Sequence, residues 1–128
     1  MTVAMNFGDL YDYVDEQLSP ETVVLIEEDE SGTGRVFTAK QMRESTNNLA
    51  SQLIAMGGSP GDKVAIYSKN RAEYVQALIA VFKARLVHVN VNFRYGPQEL
   101  EYLLDNSDAR FVIFESDYAD HLDAIREQ

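Results

Sequence analysis

An α/β fold built on a parallel sheet is predicted by three observations. Short apolar runs at residues 64–67, 86–89 and 111–114 are separated by segments whose apolar residues recur every three or four positions. Those segments open with helix-start signals, which makes the pattern strand, capped helix, strand. The length, 128 residues, is that of one domain with a real core and not of two. Right-handed crossovers then place the three strands in one parallel sheet with helices on both faces, and residues 64–67 are expected in its centre. An N-terminal helix and a β-hairpin precede it.

The first helix starts at Asn6, a capping residue, and carries Phe7, Leu10, Tyr11, Val14 and Leu18 as a single apolar stripe before Ser19-Pro20 ends it. Val23-Val24-Leu25-Ile26 and Arg35-Val36-Phe37 read as two strands joined by a polar, acidic, glycine-containing tip over residues 27–34. Thr38 with Gln41 forms a capping box for a helix whose Met42, Leu49, Leu53 and Met56 share a face, and Gly57-Gly58 supplies a left-handed stop. The strand Val64-Ala65-Ile66-Tyr67 follows. Asn70 and Glu73 make a second capping box, ahead of a helix with Val75, Leu78, Ile79 and Phe82 on one side. After the strand Leu86-Val87-His88-Val89, Pro97 occupies a first helical position with Leu100, Leu103 and Leu104 behind it. The strand Phe111-Val112-Ile113-Phe114 leads to a last helix, capped by Ser116 and using Leu122 and Ile125. Three parallel strands are few, since sheets average about five or six, so a partner is expected at the sheet edges.

Composition narrows the function classes. Hydrophobic residues at 45% and charged residues at 25% describe a globular chain. No apolar run approaches the roughly 20 residues that span a bilayer, and residues 1–10 lack the basic and apolar regions of a secretory signal. The absence of cysteine removes disulfides and thiolate metal sites and fits a cytoplasmic location. A net charge of −10 argues against nucleic acid as a partner. Between residues 61 and 94 the balance reverses, with Lys63, Lys69, Arg71, Lys83, Arg85 and Arg94 against Asp62 and Glu73. That basic middle is either an anion site or a solvated face.

Candidate chemistry is sparse. Ser31-Gly32-Thr33-Gly34-Arg35 looks like a phosphate loop, but it lies between two hairpin strands and follows Glu27-Glu28-Asp29-Glu30, so it reads as a solvated hairpin tip. Ser68-Lys69-Asn70-Arg71 is better placed, between a parallel strand and a helix, where open α/β sheets bind ligands. It lacks a glycine to wrap a phosphate, and helix capping is the plainer reading. His88 sits among alternating valines as a packed strand residue, far in sequence from His121. Asp105, Asp108, Asp117 and Asp120 lack the spacing of a calcium loop and read as helix-end charges. Tyr11, Tyr13, Tyr74, Tyr102 and the phenylalanines read mostly as core positions. No catalytic, cofactor-binding or metal-ligating residue is assigned.

The run Gly61-Asp62-Lys63-Val64-Ala65-Ile66-Tyr67, then Asn70 and Glu73-Tyr74-Val75, resembles the adenylate-forming superfamily of acyl-CoA synthetases, luciferases and peptide-synthetase adenylation domains. Ala80-Val81-Phe82-Lys83-Ala84-Arg85, Val87-His88-Val89-Asn90-Val91-Asn92-Phe93-Arg94-Tyr95 and Glu99-Leu100-Glu101-Tyr102-Leu103-Leu104-Asp105 look like its fatty-acyl-CoA ligase branch. Phe37-Thr38 leading to Leu49-Ala50 resembles the family's first core motif. The similarity covers residues 36–114. Arg85 replaces the glycine of the usual Lys-Ala-Gly, which leaves the helix exit there without its ordinary left-handed residue, and Asn90 stands where many members have proline.

The resemblance implies the N-terminal part of a large AMP-binding domain and a two-step reaction. A carboxylate attacks the α-phosphate of ATP with Mg²⁺, and CoA displaces AMP. ATP, Mg²⁺, CoA and a fatty acid are therefore expected partners of the full-length enzyme, and none of this chain alone. The family's phosphate loop, adenine and ribose contacts and C-terminal lysine would follow residue 128. Two other readings remain: a free-standing, non-catalytic module associating through its sheet edges, and a small-ligand binder using the 68–71 loop.

Overall fold

The computed structural model describes residues 5–32 and 34–126. In chain order the elements are α1 (Phe7–Glu16), β1 (Val23–Glu28), β2 (Gly34–Thr38), α2 (Ala39–Ala55), β3 (Lys63–Tyr67), α3 (Ala72–Lys83), β4 (Val87–Val91), α4 (Pro97–Ser107), β5 (Phe111–Phe114), a 3₁₀ turn (Ser116–Tyr118) and α5 (Ala119–Ile125). β4, β3 and β5 form a parallel sheet in that order, with β3 central as expected. β1 and β2 form a separate antiparallel hairpin in which Leu25 faces Phe37 and Ile26 faces Val36.

Alternation along β3 divides the interior in two. Val64 and Ile66 face Ala50 and Leu53 of α2 and Ala77, Ala80 and Val81 of α3, while Ala65 and Tyr67 face Leu100 of α4, Tyr118 of the 3₁₀ turn and Leu122 of α5. Central-strand residues buried on both faces need apolar side chains throughout, which is why Val64-Ala65-Ile66-Tyr67 shows no polar alternation. Alanines at the contact points of α3 let α2 and the sheet approach closely. Among the described residues no helix is long and apolar enough to cross a membrane.

Local signals were met at most ends. Asn6 and Asp9 close a capping box on α1, Thr38 and Gln41 close one on α2, and Gly57 ends α2 at φ +102°. Glu99 accepts from the Gly96 N–H at 3.1 Å ahead of Pro97. Several expectations need correction. β4 spans Val87–Val91, not 86–89, because Arg85 and Leu86 complete the exit of α3: Arg85 takes φ +65° and the Leu86 N–H bonds the Val81 carbonyl at 2.9 Å. The left-handed residue is thus kept without glycine. Asn70 does not cap α3, whose cap position is Arg71 and whose Ala72 N–H bonds the Glu27 carboxylate of β1 at 2.7 Å. Ser116 opens the 3₁₀ turn, and α5 begins three residues later. Met56, Tyr13, Tyr102, Phe7 and Phe114 are exposed and belong to no core. Residues 1–4 of the N-terminal reading, and Thr33 of the hairpin tip, lie outside the described residues.

α1 departs most from expectation. Its buried residues are Gly8 and Asp15, whereas Phe7, Leu10 and Val14 of the apolar stripe are exposed. Charge holds it in place. Asp9 pairs with Arg85 at 2.6 Å, Asp15 with Arg43 at 2.5 Å, and Asp12 with Lys83 at 3.1 Å. The Lys83 ammonium is buried and also donates to Thr46 Oγ1 and Asn47 Oδ1, both at 2.8 Å, which supplies the partners a desolvated cation requires. The Asn6 side chain donates to the Phe82 carbonyl at 2.7 Å. A Cβ on Gly8 would stand 2.7 Å from the Lys83 backbone, so only glycine permits this approach to α3.

Candidate functional site

The carboxyl ends of β3 and β5 meet the N-terminus of α3 at the 68–71 loop. The chain fills that loop with its own carboxylates. Glu115, one residue beyond β5, accepts from the Lys69 N–H at 2.9 Å and lies 2.9 Å from Ser68 Oγ, with Arg71 at 3.8 Å. Ser68 has a single proton, shared between Glu115 and the Lys69 carbonyl at 2.8 Å. On the other side Arg35 of β2 grips two acids. Its guanidinium donates to both oxygens of Glu73, at 2.7 and 2.8 Å, and to both oxygens of Glu27 at 2.8 Å. Arg71 adds a 2.8 Å bond to Glu73. Glu27, Arg35, Glu73, Arg71 and Glu115 form one chain of alternating charge that clips the hairpin to the βα unit.

These contacts hold Glu73 down at about 2, first through its Arg35 hydrogen bonds, and Arg35 likewise lowers Glu27. Both guanidiniums are raised correspondingly. Because the folded carboxylates ionise below their unfolded value of 4.5, they stabilise the fold above that pH and lose the contribution as pH falls toward 2. A carbon-detected NMR titration of Glu73 is expected to give a midpoint near 2, with hairpin amides losing exchange protection over the same range. A midpoint near 4.5 would show that the clip is not formed in solution.

A phosphate fits this loop poorly. Its backbone donor at Lys69 and the first helical amide at Ala72 are already taken by Glu115 and Glu27, and the ionised Glu73 stands between the two arginines. The cleft beside it, lined by Ile66, Tyr74 and Ile113, holds about 180 Å³. Half of the basic middle is spent in the same way: Lys83 and Arg85 pair with Asp12 and Asp9 of α1, and Arg71 with Glu73 and Glu115. Two wider clefts lie beside α4, about 600 Å³ along Val89, Tyr102 and Leu103, and about 430 Å³ along Leu104, Val112 and Ile125, and a polar one of about 440 Å³ lies between α1 and α2 along Asp12, Glu16 and Arg43.

The two histidines stay apart, each paired with a tyrosine. His88 Nε2 lies 2.9 Å from the Tyr74 hydroxyl, which donates to Asn90 Oδ1 at 2.6 Å, and burial pushes His88 below its ordinary value. A neutral, packed imidazole is the result. His121 Nδ1 lies 2.8 Å from the hydroxyl of the fully buried Tyr67, which also bonds the Tyr95 carbonyl and stacks on Tyr118 at 4.3 Å. A carbonyl cannot donate, so Tyr67 gives its proton to Tyr95 and His121 donates to Tyr67. The cluster ties the loop after β4 and helix α5 to the end of β3. Sequence reasoning missed it, although Tyr67, a polar-tipped ring ending an apolar strand, is the signal available. Asp108 takes a left-handed cap at φ +56°, Asp105, Asp117 and Asp120 are exposed, and among the described residues no three His, Cys, Asp or Glu side chains are placed to hold a metal. At the hairpin tip the Ser31 N–H bonds Asp29 Oδ1 at 2.9 Å, and Gly34 and Arg35, expected in the tip, belong to β2.

Against known proteins, residues 14–128 match the model of the AMP-binding enzyme family. The chain belongs to the AMP-binding enzyme family. It is 45% identical over 118 residues to a 3-oxocholest-4-en-26-oate–CoA ligase of Rhodococcus rhodochrous, covering 92% of this chain and 20% of that protein. It is 42% identical over 122 residues to a medium/long-chain-fatty-acid–CoA/3-oxocholest-4-en-26-oate–CoA ligase of Mycobacterium marinum, covering 95% of this chain and 21% of that one. The chain thus spans about a fifth of the length of these curated relatives. Among solved structures, the N-terminal domain of FACL13 from Mycobacterium tuberculosis superposes with a TM-score of 0.81 at 30% identity, over 98% of this chain and 31% of that one. An anthranilate CoA ligase bound to anthranoyl-AMP reaches 0.86 at 22% identity, over 99% of this chain and 23% of that one, a likeness of fold alone. For this member of the AMP-binding family, the parallel sheet with its preceding helix and hairpin is therefore the family's N-terminal architecture.

Proposed function

We propose that the chain forms the first part of the large adenylation domain of a fatty-acyl-CoA ligase, and that it serves there as scaffold. The reaction of the whole would be ATP, a carboxylic acid and CoA giving acyl-CoA, AMP and pyrophosphate. The observation that carries this reading is the 45% identity to a CoA ligase along 92% of the chain. The 68–71 loop, the anion candidate of the sequence, is filled by Glu115 and Glu27, and we assign no catalytic, nucleotide-binding or metal-binding residue within residues 5–126. ATP, Mg²⁺ and CoA would bind to parts of a longer protein, in the cytoplasm, with no second domain within this chain. The unpaired outer edges of β4 and β5 would pair with strands of that longer protein or with another copy.

The acid would be large and apolar. Names of relatives at 45% and 42% identity combine a steroid side-chain acid with medium- and long-chain fatty acids, and fatty acids are the class we favour. A chimera tests the reading: residues 5–126 replace the matching fifth of the Rhodococcus ligase, and acyl-CoA formation is followed with fatty and steroid acids. Activity within about tenfold of the parent is expected. A folded chimera that forms acyl-adenylate with neither acid class would sink the scaffold assignment.

A further inference from the structure

We infer that α1 is a strap, latched by charge onto α2 and α3, that opens as a unit and so controls access to the Lys83 amine. The helices and strands of the sheet unit share apolar side chains in two interior clusters, and among the described residues α1 contributes none to either. Its attachment is polar: Asp9 on Arg85, Asp12 on Lys83, Asp15 on Arg43, and the Asn6 side chain on the Phe82 carbonyl. The Phe7 ring lies 5.4 Å from that of Phe82 but stays 68% exposed, so it adds little burial. Each of the three ion pairs has one side chain at least 40% exposed, where water and salt weaken the attraction. At ten residues α1 is also shorter than the ~12–15 at which an isolated helix becomes even marginally stable, so it unfolds once released.

The hinge lies at residues 17–19. Gln17 and Ser19 are exposed, whereas the residues that follow are tied to the start of α2: the Pro20 carbonyl accepts from the Lys40 N–H at 3.1 Å, and the Thr22 carbonyl from the Ala39 N–H at 2.8 Å. α1 therefore leaves without disturbing the hairpin. Lys83 is the group it covers. That side chain is 5% exposed, held by Thr46 and Asn47 of α2 and, from α1, by Asp12 and by the Tyr11 ring, whose centre lies 5.0 Å from the nitrogen. Opening removes the carboxylate and the ring together and leaves the amine with two neutral oxygens and with water. Lys40 and Lys69, both exposed, supply the reference for an uncovered amine in the same chain.

Labelling with an N-hydroxysuccinimide ester, read by peptide mass spectrometry beside amide hydrogen exchange, tests this on the 128-residue chain without any variant. Raising sodium chloride from about 20 mM to about 1 M is expected to speed Lys83 labelling and α1 exchange together, by roughly fivefold, while β3 exchange stays unchanged. Gly8→Ala releases the latch without altering a charge, because a Cβ there stands 2.7 Å from the Lys83 backbone. In that variant Lys83 is expected to label at the rate of Lys40 and Lys69 in either salt, with β3 exchange again the check that the sheet is folded. Three results would each overturn the inference. Lys83 labelling that tracks β3 exchange would mean that only global unfolding uncovers it. Exchange of α1 that ignores salt would mean that charge is not the latch. A folded Gly8→Ala chain with Lys83 as protected as in the parent would mean that α1 does not cover the amine. The inference does not rest on the ligase reading, and an inactive chimera would leave it standing.

Discussion

Replacing Gly34 by alanine is expected to destabilise the chain by about 3 kcal/mol or more. A Cβ there would sit 1.6 Å from the Glu27 carbonyl oxygen and 2.7 Å from its carbon. That carbonyl is backbone within the β1–β2 ladder, so it cannot move aside without opening the hairpin. The loss would spread, because Glu27 caps Ala72 of α3 and Arg35 carries the ion-pair chain to Glu73. Gly32 supplies the contrast. It has φ +80° and nothing within 4 Å of a Cβ, so its alanine variant should lose only about 1 kcal/mol of backbone preference. The sequence alone places both glycines in the hairpin tip and does not tell them apart. Urea denaturation of the two variants separates the cases, and a Gly34→Ala protein within about 0.5 kcal/mol of the parent would contradict the geometry.

Tyr67→Ala is expected to cost about 3–5 kcal/mol, the range for removing a buried ring. Tyr67 is fully buried in the central strand and stacks on Tyr118 with an interplanar angle of 16°. Tyr67→Phe isolates the hydroxyl. It keeps the ring and strands the Tyr95 carbonyl and His121 Nδ1, for an expected loss of about 1–3 kcal/mol. Hydrogen exchange is expected to place the Phe variant's loosening in residues 92–96 and α5, not in β3. A neutral Phe variant would mean that the cluster is packing and nothing more.

The fold was legible where its causes are local. Capping pairs three residues apart, Asn6 with Asp9 and Thr38 with Gln41, and the apolar runs of β3 and β5 declare themselves within a few positions. What escaped has distant causes. Asn70 carries a good local capping signature for α3, but Glu27, 45 positions from Ala72, provides the acceptor for the Ala72 N–H instead. Leu86 is as apolar as a strand residue, yet its burial serves the exit of α3, and apolarity cannot distinguish those two uses. The stripe on α1 is legible as periodicity, but amphipathic periodicity reports that a helix has two faces without saying which one turns inward. Here the decision belongs to Lys83, Arg43 and Arg85 on other elements.

The candidate site was legible only as a place. The 68–71 loop was located between β3 and α3 from sequence, and capping was judged the plainer reading than anion binding. Its occupation by Glu115, 46 residues from Lys69, could not be read from local spacing. His121 likewise found its partner 54 positions away in Tyr67, where a search for ligand spacing would not look.

If the chain is scaffold for an adenylating enzyme, it holds no nucleotide-processing machinery itself. Catalysis of phosphoryl displacement needs donors and cations gathered around the α-phosphate, and the 68–71 loop is occupied by the chain's own acids. Calorimetric titration with Mg²⁺-ATP, combined with fatty-acid-dependent pyrophosphate release, measures this directly on the 128-residue chain and on a longer protein that contains it. The chain alone is expected to give no binding heat and no pyrophosphate, and the longer protein to give both. Micromolar ATP affinity or turnover by the 128-residue chain would contradict it.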